Sequence, residues 1–342
     1  MSRVIEIQGL EKTYTLKTGL FNQLRGNVRK VRAVNNVNLT IKTDEILGLV
    51  GESGCGKTTL AKMLMHIEPV TSGKIMIDGK DYTYLDKDRE MDFRRKMQLV
   101  FQDPYDSLDP RYTVREILAE PLRHLGPKPL SPIEEKDWIE NALREVELLP
   151  IEEYINRYPH QLSGGQRQRV AIARAIIIKP EFLVADEPVS MLDVSIRAGI
   201  LNLIKKKNEE NGIGCLLVTH DLATARYLCH RIAVMYLGKI VEVGSAKNLM
   251  EDFVHPYSRL LLTSAPDLYL LEEDEREEIP TIAMDAVDPP EGCKFAPRCP
   301  NAKEFCWEKE PILNDRENKE GHQIACHLCG SNVVKNLEKI DL

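Results

Sequence analysis

Residues 46–60 read ILGLVGESGCGKTTL, an apolar run that passes directly into a loop of glycines and then into a helical stretch. The loop matches the pattern G-x-x-x-x-G-K-[ST], with Gly51 and Gly56 at its two glycine positions. Glycine lets the backbone curl so that successive N–H groups point at a phosphate, and the following helix adds its positive end. Because the motif lies between a strand and a helix, we predict a phosphate-binding loop and not a chance glycine-rich turn.

Two side chains at the end of this loop suit a nucleoside triphosphate and its metal ion. Lys57 is predicted to reach the β- and γ-phosphates, and Thr58 to offer its hydroxyl to Mg²⁺. Cys55 lies within the loop, and we expect its side chain to be incidental. The predicted ATP-binding residues of the loop are Gly51, Glu52, Ser53, Gly54, Cys55, Gly56, Lys57, Thr58 and Thr59.

A second apolar run, FLVADEP at 182–188, ends in two carboxylates. Asp186 is predicted to hold Mg²⁺ through water, and Glu187 to polarise the attacking water. An acidic pair at the end of a strand is often only a turn. Together with the phosphate loop, however, the pair indicates a nucleotide-hydrolysing site.

A second helix start that can bind an anion lies in HQLSGGQRQRVAIARA, residues 160–175. Ser163 is a suitable N-cap, and the glycines at 164 and 165 leave the first N–H groups of the helix bare. A chain with two phosphate-binding helix starts can use both on one nucleotide only if the second comes from another subunit.

Composition and charge limit the function classes. The chain has 342 residues, of which 43% are hydrophobic and 29% charged, as in ordinary globular proteins. No apolar run approaches the ~18 residues of a membrane span, and the first residues lack the apolar stretch of a signal peptide. We therefore expect a cytoplasmic protein. The net charge of -7 gives no electrostatic indication of nucleic-acid binding.

The order of segments indicates an α/β core that is interrupted by a helical insertion and followed by a tail. Helical spacing of apolar residues predicts helices over 110–125 and 131–149, and a basic, irregular segment over 15–33 is predicted to be an exposed loop. The tail holds the acidic run LEEDEREE and a cysteine-rich end, and we find no internal repeat. The strand-like segments are VIEIQGL, VNNVNLTI, EILGLV, GKIMIDGK, EFLVAD and GCLLVTH.

These motifs resemble those of the ATP-binding subunits of ABC transporters, in the family's order and over nearly the first 245 residues. The resemblance implies a RecA-like P-loop ABC ATPase core with an antiparallel β subdomain, an inserted α-helical subdomain and a C-terminal cysteine-rich extension. It also implies that the signature Leu162, Ser163, Gly164, Gly165 and Gln166 caps the γ-phosphate of ATP held in the opposite subunit. The implied domains are the first core part (1–102), the helical signature subdomain (103–168), the second core part (169–248) and the extension (249–342).

The resemblance implies further site residues. Tyr14 takes the place of the aromatic residue that stacks on adenine, and Gln102 that of the glutamine that senses Mg²⁺ and the γ-phosphate. Asp193 belongs to the loop that crosses the dimer interface, where Met191 replaces the usual alanine. His220 matches the histidine that contacts the γ-phosphate and helps to orient water. The catalytic set is then Glu187, His220 and Gln102, and the Mg²⁺ set is Thr58, Gln102 and Asp186.

Five of the eight cysteines follow position 290. In a reducing compartment soft thiolates favour zinc or an iron–sulfur cluster over a disulfide, and the spacing alone does not separate the two. The end of the chain resembles that of the peptide and nickel import branch, which implies a 4Fe-4S cluster. Zinc and free thiols stay open, as do Cys329, His322 and His327 as spare ligands. The implied cluster ligands are Cys293, Cys299, Cys306 and Cys326.

The implied function is that of an ATP-hydrolysing subunit, a translocase that drives import of di- or oligopeptides by nucleotide-dependent dimer closure. The implied partners are a second, homologous ATPase subunit in a heterodimer, two transmembrane permease subunits and, indirectly, an extracellular substrate-binding protein, with no nucleic acid. The chain resembles the F-type member of such importers and is expected at the cytoplasmic face of the membrane. The alternatives are a nickel or oligosaccharide importer of the same branch, or a soluble ABC-type ATPase that acts on ribosomes or DNA.

Overall fold

A computed structural model describes residues 3–15, 30–126, 129–263, 289–316 and 319–329. The acidic run at 271–278 and residues 16–29 of the predicted basic loop lie outside the described residues. Contacts divide the chain into two compact units. The first comprises residues 1–4, 41–46 and 77–218, and the second comprises 5–40, 47–76 and 219–342. The four domain ranges given above stay a prediction.

The strands are numbered here in chain order. They are β1 (Val4–Thr15), β2 (Lys30–Lys42), β3 (Ile46–Val50), β4 (Ser72–Ile77), β5 (Lys80–Asp81), β6 (Met97–Val100), β7 (Phe182–Asp186), β8 (Gly214–Thr219), β9 (Arg231–Tyr236), β10 (Lys239–Ser245), β11 (Asn314–Arg316) and β12 (Lys319–Ile324).

The first unit contains the parallel strands β8, β7 and β6, in that order. Leu99 pairs with Val184, and Val184 pairs with Leu216 on the other side. Every residue of β7 and β8 is buried, as expected for parallel strands that are covered on both faces. The carboxyl end of β7 therefore delivers Asp186 and Glu187 from a rigid, apolar strand.

Helices make up much of the first unit, including the predicted insertion. Among the helices that begin with a capping box, one has Thr113 and Glu116 at its start and another has Ser131 and Glu134. These two helices lie within the segments predicted to be helical. The helices of this unit are Lys87–Lys96, Pro104–Ser107, Val114–Leu125, Pro132–Glu145, Ile151–Tyr154, Gly164–Ile176 and Val194–Asn211.

The second unit contains two strand arrangements, β2-β1-β4 and β11-β12-β10-β9-β3. β3 pairs parallel with β9, whereas β9, β10, β12 and β11 pair antiparallel in succession. The predicted loop over 15–33 is wrong at Thr15, which ends β1, and at residues 30–33, which belong to β2. The helices of this unit are Lys57–Leu64, Leu222–Leu228, Ala246–Glu251, Pro256–Thr263 and Glu304–Glu308.

Two buried clusters hold the C-terminal part of the second unit together. Tyr236, Tyr257 and Phe295 form an aromatic cluster, with ring centroids 4.5 to 5.5 Å apart. The buried carboxylate of Glu242 accepts hydrogen bonds from the N–H groups of Val254 and His255. Edge-to-face and tilted ring packing of this kind fixes the orientation of each side chain, including the hydroxyl of Tyr257.

Within the part of the chain that the structure describes, no helix has both the length and the apolar character needed to cross a membrane.

Candidate nucleotide-binding site

The loop between β3 and the helix Lys57–Leu64 adopts a conformation that requires glycine. Gly54 and Gly56 have φ of 78° and 110°, in the region that side-chain-bearing residues rarely adopt. A Cβ atom on Gly56 would lie 2.1 Å from the carbonyl oxygen of Ala33, and one on Gly51 would lie 2.3 Å from that of Met235. The glycines of the motif are therefore needed both for the curl of the loop and for close packing beneath it.

The side chain of Lys57 folds back onto the start of this loop. It is buried, and its Nζ donates hydrogen bonds to the carbonyl oxygens of Gly51 (2.8 Å) and Glu52 (2.9 Å). Thr58 follows it in the first turn of the helix, where the direction of the backbone N–H groups and the helix dipole favour an anion. Burial raises the pKa of the Cys55 thiol, so this side chain is a packed neutral group.

Two residues from the far end of the chain contact the loop, and neither was among the residues predicted from the sequence. The N–H of Glu52 donates to Oη of Tyr257 at 2.8 Å. The guanidinium of Arg298 forms two hydrogen bonds with the Glu52 carboxylate, at 2.8 and 3.0 Å. The one available signal was an acidic residue inside a phosphate loop, a place where an unpaired carboxylate would oppose an anionic ligand.

The first unit brings Gln102 and Glu187 together. Nε2 of Gln102 donates to Oε2 of Glu187 at 3.0 Å and lies 3.4 Å from Oγ of Ser190. Glu187 has φ of 45°, and its N–H donates to the carbonyl oxygen of Val218 at 2.9 Å. A strained, hydrogen-bonded backbone and a hydrogen-bonded carboxylate fix the direction of this side chain.

The signature forms the N-terminus of the helix Gly164–Ile176. Ser163 is the N-cap, and its Oγ and the side chain of Gln166 each accept from the other's backbone N–H in a capping box. The two glycines differ, because a Cβ on Gly165 would lie 2.5 Å from Ile196, whereas one on Gly164 would meet only Leu192 at 3.6 Å. Gly165 therefore serves packing, and Gly164 leaves an accessible helix start.

The predicted interface loop is exposed and partly apolar. Met191 and Val194 are 66% and 79% exposed. Asp193 begins the helix Val194–Asn211 through its carbonyl oxygen, without a side-chain cap. Met191 and Val194 therefore give this segment two exposed apolar residues on either side of Leu192 and Asp193.

Tyr14 and His220 lie in the second unit, as does the phosphate loop. Tyr14 is half-buried near the end of β1, with Nζ of Lys12 4.9 Å from its ring centroid. His220 is exposed directly after β8, one residue before Asp221 caps the next helix. Gln102, Asp186, Glu187 and the signature belong to the first unit.

The tail cysteines approach one another without forming a metal site. All eight cysteines of the chain are free thiols, and the described residues contain no group of three or more His, Cys, Asp or Glu that could hold a metal ion. The N–H of Cys293 donates to the carbonyl oxygen of Cys306 at 2.7 Å. Burial, together with the neighbouring thiols of Cys326, Cys293 and Cys306, raises the pKa of Cys299 to about 11.

The structure also assigns partners to the spare candidates. Sγ of Cys326 donates to Sγ of Cys329 at 3.4 Å, which raises the pKa of Cys326 and lowers that of Cys329. His322 is buried, with Nε2 2.8 Å from a carboxylate oxygen of Glu242, and His327 hydrogen-bonds the backbone of the chain. Of the three spare candidates, Cys329 is the one whose described side-chain contact is with a predicted ligand, Cys326.

Comparisons with known proteins agree over both halves of the chain. Residues 34–190 match the family described as ABC transporter, and residues 241–306 match the C-terminal region of oligopeptide/dipeptide transporters. A probable peptide ABC transporter ATP-binding protein, y4tS of Sinorhizobium fredii, is 42% identical over 329 residues, which cover 95% of this chain and 90% of that one. The oligopeptide transport ATP-binding protein AppF of Bacillus subtilis is 40% identical over 332 residues, covering 95% and 97%.

Solved structures agree with the predicted α/β class. The ATP-binding cassette MJ0796, in a dimeric post-hydrolysis state bound to ADP and Pi, superposes with a TM-score of 0.62 at 34% identity, covering 71% of this chain and 98% of that one. The cassette cbiO1 of Clostridium perfringens, part of the complex cbiONQ, has a TM-score of 0.62 at 26% identity and covers 79% and 96%.

Proposed function

We propose, from the premise that this chain belongs to the ATP-binding proteins of ABC transporters, that it powers import of di- and oligopeptides. The chain is an ABC-type ATPase, and its cofactors are ATP and Mg²⁺. The assignment of peptide as the transported substrate rests on one observation. Residues 241–306 match the C-terminal region of oligopeptide/dipeptide transporters, within a chain 40 to 42% identical to peptide-transport ATPases over nearly its whole length.

The phosphate loop binds the β- and γ-phosphates through its N–H groups and the ammonium of Lys57. The hydroxyl of Thr58 and the side chains of Asp186 and Gln102 would hold Mg²⁺, and the ring of Tyr14 would stack on adenine. The buried position of Lys57 supports this role, because its charge is already held against the loop by two carbonyl oxygens.

Glu187 accepts a proton from the attacking water as general base, and His220 orients that water against the γ-phosphate. The hydrogen bond from Gln102 to Glu187 supports this assignment. It holds the carboxylate in one direction and gives Gln102 a direct contact with the base. A movement of Gln102 that follows the membrane subunits would therefore change the position of the base.

Hydrolysis takes place in a dimer of ATPase subunits, in which Ser163 and Gly164 of one subunit cap the γ-phosphate held by the other. The accessible start of the signature helix and the exposed Met191 and Val194 beside Asp193 support this arrangement. The second ATPase is a related but distinct chain. Dimer closure is transmitted through the groove beside Gln102 to two permease subunits, which place this chain at the cytoplasmic face of the membrane.

The transport function predicts a specific biochemical result. When the chain is co-expressed with the permease, partner ATPase and binding-protein genes that flank its own, it should co-purify with two membrane subunits. The complex in proteoliposomes should then accumulate radiolabelled di- or oligopeptides only with ATP. Co-purification with ribosomes or nucleic acid would contradict the proposal, and ATP-driven uptake of nickel or an oligosaccharide in place of peptide would assign the same ATPase another cargo.

For the tail we propose that Cys293, Cys299, Cys306 and Cys326 hold an iron–sulfur cluster of the 4Fe-4S type. The four soft thiols belong to a segment with little apolar sequence of its own, and a metal centre would supply stability there. The proximity of the thiols supports the proposal, although their arrangement in this structure is not itself a metal site. The proposed role is structural.

Anaerobically purified protein should therefore be brown, with a broad absorbance near ~400 nm and about four iron and four sulfide per chain. C299S should lose this absorbance, whereas C215S, a buried cysteine of β8, should keep it. Colourless protein that contains one zinc per chain would show that these cysteines bind zinc instead of a cluster. Protein without any metal would show that they are free thiols.

A further inference from the structure

The phosphate loop contains an acidic residue, whose negative charge opposes the binding of an anionic ligand. Glu52 is the second residue of the loop, next to Gly51 and five residues before Lys57. Its side chain is 42% exposed. An unpaired carboxylate in the loop would repel a bound triphosphate, because like charges several ångströms apart interact strongly where water is partly excluded.

Arg298 pairs with this carboxylate. Its Nη1 and Nη2 donate to the two carboxylate oxygens of Glu52 at 2.8 and 3.0 Å, a bidentate geometry. The arginine side chain is only 6% exposed. It lies 5.7 Å from the Phe295 ring and 5.9 Å from the Tyr236 ring, over the aromatic cluster. A buried, stacked guanidinium is held in place independently of its partner, so it can direct Glu52 and not merely follow it.

The same aromatic cluster holds the backbone of Glu52. Tyr257 is buried, packs 4.5 Å from Tyr236 and accepts the Glu52 N–H at 2.8 Å. Next to it, the Gly51 backbone is so close to Met235 that no Cβ would fit. Both the peptide group and the carboxylate of Glu52 are thus bound by residues that follow position 250.

We propose that Arg298 is a positioning residue for ATP binding, which neutralises Glu52 and holds its carboxylate away from the triphosphate. The residues after 250 are then part of the nucleotide site. This inference rests on the ATP-binding role of the loop and not on the transported solute. Its test measures nucleotide binding, so it can fail while peptide import stands, and the reverse.

Substitution R298M keeps the length and apolar contacts of the stem and removes the charge. The Kd of the full-length chain for Mg-ATP should rise about tenfold, the effect of one uncompensated charge at partial screening. In the assembled transporter KM for ATP should rise by a similar factor, whereas kcat at saturating ATP should stay within about twofold. The increase should shrink as salt is raised from 50 to 500 mM.

The rescue variant separates electrostatics from a general loss of structure. E52Q removes the repelling charge, so E52Q/R298M should bind ATP within about twofold of E52Q alone. The matched control is R316M, which breaks another arginine pair of the same region, with Asp252 at 2.8 Å, and should leave Kd unchanged.

If R298M does not fold, the Kd of R298K for Mg-ATP tests the proposal instead. This variant keeps the charge without the bidentate geometry, and should raise Kd two- to fourfold in a way that E52Q cancels. Unchanged Kd in the arginine variants, or an increase that E52Q does not reverse, would overturn the proposal.

Discussion

Substitution E187Q is expected to lower the rate of ATP hydrolysis by the assembled transporter about 10²- to 10³-fold, the usual loss when a general base is removed. ATP binding should be retained, because the amide has the shape of the carboxylate and its oxygen can still accept from Gln102 Nε2. The variant should therefore accumulate as an ATP-bound, closed dimer. Single-turnover hydrolysis and size-exclusion chromatography with Mg-ATP measure the two effects.

Glu147 provides a matched control in the same unit. Like Glu187 it is a glutamate with positive φ, 57° against 45°, but it is exposed and pairs with Arg169. E147Q should leave hydrolysis within about twofold of the original rate. Rapid turnover by E187Q would remove Glu187 from the catalytic role proposed above.

The second large effect is expected from the signature. In G164D a carboxylate is placed at the accessible helix start, where the γ-phosphate of the other subunit is proposed to bind. Hydrolysis should fall at least about 100-fold, because one anion excludes the other from the positive end of the helix. A Cβ at this position meets only Leu192, at 3.6 Å, and an acidic residue in the first turn favours the helix.

The stability of G164D should consequently equal or exceed that of the original chain, which separates its effect from unfolding. Binding of ATP to the isolated chain should also be unchanged, since its own phosphate loop is intact. G164A, which is small and neutral, should lose no more than about tenfold. A strictly monomeric preparation that hydrolyses ATP at the full rate would contradict the dimeric mechanism.

The sequence was sufficient to predict those elements that depend on interactions between residues close together in the chain. The apolar runs of β7 and β8 predicted strands, and the capping residues Thr113 and Ser131 precede two helices within predicted segments. Residues 30–33 were mistaken for loop because Lys30 and Arg32 are charged. In β2, an edge strand of its sheet, such charges lie exposed on one face.

The candidate site could be predicted only where a sequence motif by itself implies a local backbone structure. The phosphate loop, Asp186, Glu187 and the signature each follow a strand or begin a helix, which gives their spacing a meaning. The pair of Glu52 and Arg298 spans 246 positions, and no local rule connects its members. The difference between Gly164 and Gly165 likewise depends on Ile196, a tertiary neighbour.

The hydroxyl of Tyr257 and the guanidinium of Arg298 have a consequence for how this ATPase can be divided. A shortened chain that stopped at 250 would retain every sequence motif for ATP hydrolysis, yet would leave the Glu52 amide and carboxylate without their acceptor and counter-ion. Truncation would therefore produce a defective enzyme instead of a minimal one, and the last quarter of the polypeptide is not a detachable module.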